Sequence, residues 1–499
     1  MRMNLPHAMA NSARRNPGKT ALFWGGTQFT YGDLWAQSLG VGDRLRSEFG
    51  VRAGDRVGLW LKNCPEFVPA VFGILQAGAV VVPINNFLKP AEVSFMLADA
   101  GIDVVILDET MREGFEKLRL GRSGLRALAV DDFASFAATA TAGQGRECRR
   151  SESDLAVIIY TSGTTGHPKG AMLSHGNLLA NVDSCRRVLE AVGEDRIVVL
   201  LPMFHSFMLT VGVLLPLLVG GSIVLIKTLH PPKNVVAEIA QHRATILPAV
   251  PQFFRALTHG SALPDLPLRI CISGAAPLPA EILKEFNARF PMPLLEGYGL
   301  SEAGPVVSFN PIHGPWKAGS IGVPIPGVEV SVQNDAGEIL AAGVTGEICV
   351  RGGNVMLGYW KQPGETAATM RQGWLLTGDI GHVDADGYFY ITDRKKDMLL
   401  VNGINVYPRQ IEEVLYTFPG VKEAAVIGVP DERRGEQPLA FVTAQDGVEL
   451  EEGPLLQFAR RQLADYKVPR HIVFLAALPR NATGKILKTE LRKSAVRPS

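Results

Sequence analysis

The feature that most constrains this 499-residue chain is the recurrence of short apolar runs rich in Val and Ile: VVVPI, VVIL, AVIIY, IVLI, RICIS and EICV. Each is too short for a helix, and none alternates apolar with polar residues as a half-exposed strand would, so each reads as a strand covered on both faces. Between them lie longer stretches of helical character. One is HGNLLANVDSCRRVLEAV, which follows Ser174, a good N-cap residue. The alternation predicts an α/β architecture with buried sheets. At about 150 residues per domain, the length implies roughly three folding units, one of them smaller than the rest.

From about Gly319 the texture changes to short strands separated by Gly and Pro turns, in GSIGVPIPGVEVSVQNDAGEI, TGEICVRG and GWLLTGDIGHVDADGYFYITD. Turn chemistry at Asp335 to Gly337 and at Asp384 to Gly387 predicts hairpins, and hence a β-rich subdomain over about 319–393. The charged cluster DRKKD, Asp393 to Asp397, is followed by a compact tail. There Pro408 opens a helix with Ile411, Val414, Leu415 and Phe418 at helical spacing, VKEAAVIGV and PLAFVTA read as strands, and a second helix around Leu455 to Leu463 precedes the strand HIVFLAAL. The expected organisation is a large N-terminal domain of several subdomains, 1–395, and a small α+β C-terminal domain, 396–499.

Lys+Arg 50 against Asp+Glu 49 leaves a net charge of +1, so no global field attracts nucleic acid or an anionic membrane. The five cysteines, Cys64, Cys148, Cys185, Cys271 and Cys349, have neither disulfide-framework nor metal-ligand spacing, which suits a reducing cytoplasm. The start, MRMNLPHAMANSARRNPGKTALF, lacks the apolar core of an export signal. Two apolar stretches, Val68 to Ile84 and Phe207 to Ile226, are interrupted by Pro69 and Pro83, and by Pro216 and Gly220-Gly221. Each reads as a buried helix running into a buried strand rather than as a membrane span.

The strongest local signal is YTSGTTGHPKG, Tyr160 to Gly170, directly after the strand-like LAVII. Gly163, Gly166 and Gly170 free the backbone to turn N–H groups inward, Thr161, Ser162, Thr164 and Thr165 add hydroxyls, and Lys169 adds a charge. Together they make an anion cradle suited to phosphate. The spacing is not that of a Walker A loop, and the following LSHGN looks like a strand and a helix cap.

With LPMFH, ISGAAPLP, EGYGLSEAG, LLTGD, DRKKDMLLVNGINVYP and PRNATGK in the same order, the chain resembles the adenylate-forming superfamily, and most closely its bacterial medium- and long-chain fatty-acid–CoA ligases. That resemblance spans nearly the whole sequence. It implies ATP, Mg²⁺ and coenzyme A as cosubstrates and cofactor, a carboxylic acid as the group activated, and a C-terminal domain that moves as a lid. It gives the nucleotide the Thr161 to Lys169 loop, Gly274, Ala275, Tyr298 as the adenine stack, Gly299, Ser301 (usually threonine in the family), Asp379 on the ribose and Arg394. Glu302 would hold Mg²⁺, His205 would line the carboxylate site, and Lys485 would grip acid and phosphate oxygens during adenylation. Lys396 falls at the hinge and Gly403 beside the pantetheine tunnel.

SFMLTVGVLL, after His205, carries no acidic residue to pair with an α-ammonium group, which argues against an amino-acid substrate. An aryl acid, and a carrier protein in place of CoA, stay open. A non-catalytic binding protein is disfavoured, because Glu302, Asp379, Arg394 and Lys485 are all present.

Overall fold

The computed structural model describes residues 4–133, 148–161, 168–229, 233–259, 266–402, 404–431, 433–481 and 484–495. Among these, the strands assemble into four sheets. The largest has a parallel centre, with Leu294–Gly299, Ile270–Ser273, Ile246–Ala249, Arg196–Val199, Ser222–Leu225 and Thr20–Trp24 in that spatial order. A second sheet runs parallel through Leu155–Thr161, Val80–Pro83, Arg56–Trp60, Val104–Leu107 and Arg126–Ala129. The inner strands Val80–Pro83, Val104–Leu107, Ser222–Leu225 and Ile270–Ser273 are buried along their whole length, as their continuous apolar runs require.

Between the two sheets lies one large core. Val57, Leu59 and Val81 of the second sheet share it with Ile197, Ile223 and Ile246 of the first. The helix Phe67–Gln76 runs through it with all ten residues buried. It crosses the helix Tyr31–Ser47 so closely that a Cβ on Gly73 would sit 2.5 Å from Val41 Cγ1, so only glycine permits the approach. The helix expected after Ser174 is His175–Val188. Ser174 Oγ accepts from Asn177 N, and Asn177 Oδ1 accepts from Ser174 N, a reciprocal cap.

Of the two apolar stretches, the first forms the helix Phe67–Gln76 and the strand Val80–Pro83. The second differs in detail from the expected plain helix. Met208–Leu214 is a π-helix with every residue buried, followed by the short helix Leu215–Val219, a left-handed Gly220 and the strand Ser222–Leu225. Among the described residues no helix is long and apolar enough to cross a membrane.

The third sheet is an antiparallel set built from Val328–Gln333, Gly346–Gly352, Met370–Arg371, Trp374–Val383 and Phe389–Arg394. Asp384 Oδ1 closes the last hairpin by accepting from Asp386 N and Tyr388 N. The fourth sheet begins at Leu399–Val401 and has its own core, in which Leu399, Val426, Val442 and Ile411 pack with Leu455 of the helix Glu452–Gln462. The final strand of the tail, His471–Phe474, is shorter than the run HIVFLAAL and pairs parallel with Gly435–Ala444.

Candidate active site

The C-terminal ends of the parallel strands of the largest sheet open into a cavity of about 1750 Å³, with residues of the C-terminal domain forming its far wall. This is where open α/β sheets bind ligands, because the loops leaving the strands are free to diverge there. Gly274 and Ala275 follow the strand Ile270–Ser273, and Tyr298 and Gly299 close the strand Leu294–Gly299. All four line the cavity. Ala275 holds a left-handed φ of 65°. A side chain on Gly299 would collide with Pro305 O at 2.2 Å, so this corner needs glycine whatever it binds.

The strand Trp374–Val383 brings in Asp379 and its neighbour Phe389–Arg394 brings in Arg394, which face each other in register. Arg394 Nε lies 2.6 Å from Asp379 Oδ1, and Tyr298 Oη donates to Asp379 Oδ2 at 2.5 Å. Asp379 is buried, so its charge is held by partners rather than by water. Burial first, then the Asp379 charge, pushes the Tyr298 phenol far up, so it stays a neutral donor. One face of the cavity is therefore an aromatic ring beside a fixed carboxylate.

Glu302 lies in the turn after Gly299 and accepts from Tyr359 Oη at 2.9 Å. Among the described residues no cation is paired with it, and no cluster of three or more His, Cys, Asp or Glu forms a metal cage. Ser301 Oγ shares a hydrogen bond with Ser206 Oγ at 3.0 Å, tying this turn to the segment after His205. Lys169 starts the strand Lys169–Ser174, which returns antiparallel beside Leu155–Thr161, so the loop joins two strands as its non-Walker spacing implied. Its ammonium pairs with Glu365 at 2.5 Å and lies 5.4 Å from the Tyr359 ring centre. Thr161 ends the incoming strand. Ser162, Gly163, Thr164, Thr165 and Gly166 lie outside the described residues, as does Gly403.

His205 follows the strand Arg196–Val199 and lines the cavity. Its Nδ1 accepts from Phe207 N at 3.3 Å. Burial, with Lys485 second, lowers its pKa to about 4, so at neutral pH the ring is uncharged and its proton sits on Nε2. Lys485 reaches the cavity from the other domain on a tight turn, in which Asn481 Oδ1 accepts from Lys485 N, and Arg480 bridges to Ile486. The Arg394 charge, with burial second, brings Lys485 down to about 8, while Asp379 opposes the shift. Lys396 sits in the exposed turn after Arg394.

Sequence reasoning missed several cavity residues. Glu296 lies inside the strand Leu294–Gly299 and is buried, accepting from Leu278 N at 3.0 Å, with Arg409 and Glu413 of the helix Pro408–Tyr416 as its charged neighbours. A carboxylate terminating the run PMPLL was the available signal. Tyr359, and Glu365 that pairs with the cavity residue Lys169, gave none, since their roles depend on how the strand Gly358–Tyr359 packs beside Lys169–Ser174.

The cavity thus brings together an aromatic ring, a buried carboxylate, the Glu302 carboxylate and a lysine from the C-terminal domain. The chain belongs to the AMP-binding enzyme family: residues 9–360 match the AMP-binding enzyme model and 410–485 match the AMP-binding enzyme C-terminal domain. It is 36% identical to the long-chain-fatty-acid–CoA ligase of Bacillus subtilis (strain 168), over 98% of this chain and 94% of that ligase. It is 39% identical to the feruloyl-CoA synthase of Amycolatopsis sp, over 96% and 97% of the two chains. The ATP-bound structure of MatB from Rhodopseudomonas palustris superposes with a TM-score of 0.91 at 33% identity, covering 99% of both chains. The protein is an AMP-forming acid–thiol ligase, an acyl-CoA synthetase that works with a carboxylic acid, ATP, Mg²⁺ and CoA.

Proposed function

We propose that the acid activated is an apolar, medium- or long-chain fatty acid. The observation that carries this reading is the apolar part of the cavity lining, where Phe207, Val211, Leu300 and Val306 offer hydrocarbon surface. The identity to a long-chain-fatty-acid–CoA ligase supports the same class.

In this reading the acid's carboxylate lies between His205 and Lys485. The neutral imidazole donates its Nε2 hydrogen to one carboxylate oxygen, and the ammonium attracts the other. One carboxylate oxygen attacks the α-phosphorus of ATP, the bond to pyrophosphate breaks, and acyl-AMP forms. Lys485 and Lys169 stabilise negative charge as it redistributes over the phosphate oxygens. Tyr298 stacks on adenine, and Asp379, held by Tyr298 and Arg394, accepts hydrogen bonds from the ribose hydroxyls. Glu302 would hold Mg²⁺, since its carboxylate is a hard oxygen ligand that lines the cavity beside Tyr298. When bound, Mg²⁺ supplies charge neutralisation at those oxygens.

In the second half-reaction the CoA thiol attacks the acyl carbonyl, and AMP leaves. We place the domain boundary at residues 395 and 396 and assign Lys396 to the hinge. Rotation there withdraws Lys485 and brings the Gly403 segment to the intermediate. The free cysteines fit a cytoplasmic enzyme.

A panel of C2 to C18 and aromatic acids in ATP–pyrophosphate exchange, repeated with CoA, tests the reading. Preference for an apolar alkyl acid with thioester formed supports it. Preference for acetate, a dicarboxylate or an aryl acid overturns the substrate class, and accumulation of acyl-AMP without CoA consumption points to a carrier-protein acceptor.

A further inference from the structure

Part of the apolar lining of the cavity comes from the helix His175–Val188 and its C-cap Leu189. Cys185, Val188 and Leu189 stand at i, i+3 and i+4, on one face of that helix, and all three line the cavity. Cys185 and Leu189 are only 1% and 2% exposed, so they form an end wall rather than a mouth. Phe207, just before the π-helix, and Val211 within it add to the lining, and the sheet supplies Ile272 and Val306. Along Ile270–Ser273 the side chains alternate, and Ile272 packs in the same core as Cys185 and Leu189.

This wall is pinned. Asn181, one turn before Cys185, donates through Nδ2 to Val306 O at 2.7 Å and accepts from Val306 N at 3.1 Å through Oδ1. Ser184 Oγ donates to Pro326 O at 2.6 Å. The helix is thereby fastened to the strand Val306–Phe309, and Asn181 and Ser184 each bond to backbone partners outside the helix. Thr210, inside the π-helix, likewise spends its hydroxyl on Gly304 O at 3.0 Å. Burial pushes the Cys185 thiol up to about 12, so it meets a ligand as a small, uncharged, apolar group.

Resting on the proposal that the acid is an alkyl chain, we infer that Cys185, flanked by Val188 and Leu189, is the end stop of the acyl arm and sets the longest chain this ligase accepts. A pinned wall cannot retreat from a longer chain, and its smallest member leaves the most room for one. Filling that room shortens the arm, and enlarging it lengthens the arm. Each methylene denied burial lowers affinity roughly fourfold.

The test compares Cys185→Phe, Cys185→Ala and Val188→Phe with the unmutated enzyme. The readouts are kcat/KM across saturated C6 to C18 acids, and calorimetric affinity for non-hydrolysable acyl sulfamoyl adenosines of the same lengths. The ratio of long-chain to short-chain kcat/KM should fall at least tenfold in Cys185→Phe, fall less in Val188→Phe, and rise severalfold in Cys185→Ala, with the analogue affinities moving in parallel. A folding defect would lower all lengths together and leave the ratio where it was. An unmoved ratio in all three variants overturns the inference, since the chain then leaves by another route. If the unmutated enzyme takes only aryl acids, the substrate reading fails by itself. The end stop then stands only if Cys185→Phe still selects benzoate over its longer para-alkyl derivatives.

Discussion

Tyr298 donates its phenolic hydrogen to Asp379 at 2.5 Å, and the two come from different sheets. The ring expected to carry adenine is thus oriented by the carboxylate expected to carry ribose, so one contact aligns both halves of a nucleoside. Removing the hydroxyl should misplace the ring without removing it. Tyr298→Phe is expected to raise KM for ATP about three- to tenfold, below the full value of a hydrogen bond to a charged group because Arg394 still holds Asp379. Asp379→Ala should cost more than 10²-fold in kcat/KM, since it also leaves Arg394 without its partner. Steady-state kinetics at varied ATP check both; equal, small effects would argue against the ribose assignment.

Glu302 gives a prediction about metal. Its carboxylate is held by Tyr359 Oη, and the Arg394 charge acts on it. Glu302→Gln keeps the size and the hydrogen bond and removes the charge. The Mg²⁺ concentration for half-maximal adenylation should rise at least tenfold, and kcat at saturating Mg²⁺ should fall about 10²-fold. Titrating Mg²⁺ in the pyrophosphate-exchange assay measures both, and an unchanged Mg²⁺ requirement would remove Glu302 from the ion's coordination.

Glu296 gives a prediction about stability. Burial first, with Glu413 adding and Arg409 and the Leu278 N–H opposing, raises it from 4.5 to about 7. Between those values the folded chain holds a proton that the unfolded chain has lost. The slope of stability with pH is therefore negative, and the contribution present below about 4.5 fades as pH rises through about 7. Glu296→Gln keeps a carbonyl for Leu278 N and needs no charge, so its Tm should exceed that of the unmutated chain at pH 8 and match it near pH 5. Calorimetric melts at the two pH values decide it, and an equal gain at both would assign the effect to packing.

What was legible in the sequence is what local chemistry dictates. Ser174 capped its helix because Asn177 stands at the right spacing, and Asp379 and Arg394 met because a single hairpin joins their strands. The π-helix was hidden because Met208–Leu214 is apolar on every side, so no polar face marks its wider turn. Glu296, Tyr359 and Glu365 escaped for a different reason. Their partners Leu278, Glu302 and Lys169 belong to other elements, brought close only by sheet packing and by the strand Gly358–Tyr359 beside Lys169–Ser174.

The last prediction separates the two half-reactions. Lys485 lies beside Arg394 and His205 in this structure, while Gly403 belongs to the segment assigned to thioester formation. Lys485→Ala should slow acyl-AMP synthesis about 10²-fold or more and leave thiolysis of preformed acyl-AMP near its normal rate. Gly403→Leu should do the reverse. A pH profile adds a second signature. The Lys485 ammonium is present below about 8 and lost above it, so kcat/KM for ATP in adenylation should fall as pH rises through that value. Bound phosphates favour the ammonium, so the fall in kcat should come at higher pH than the fall in kcat/KM. Lys485→Arg, charged throughout, should keep part of the activity and lose the alkaline limb. Measuring each half-reaction separately is essential, because overall turnover drops in every variant. Equal slowing of both halves by Lys485→Ala would mean that the ammonium does not act on adenylation alone and that the two-position reading of the lid is wrong for this chain, and an alkaline limb that survives in Lys485→Arg would assign that limb to another group.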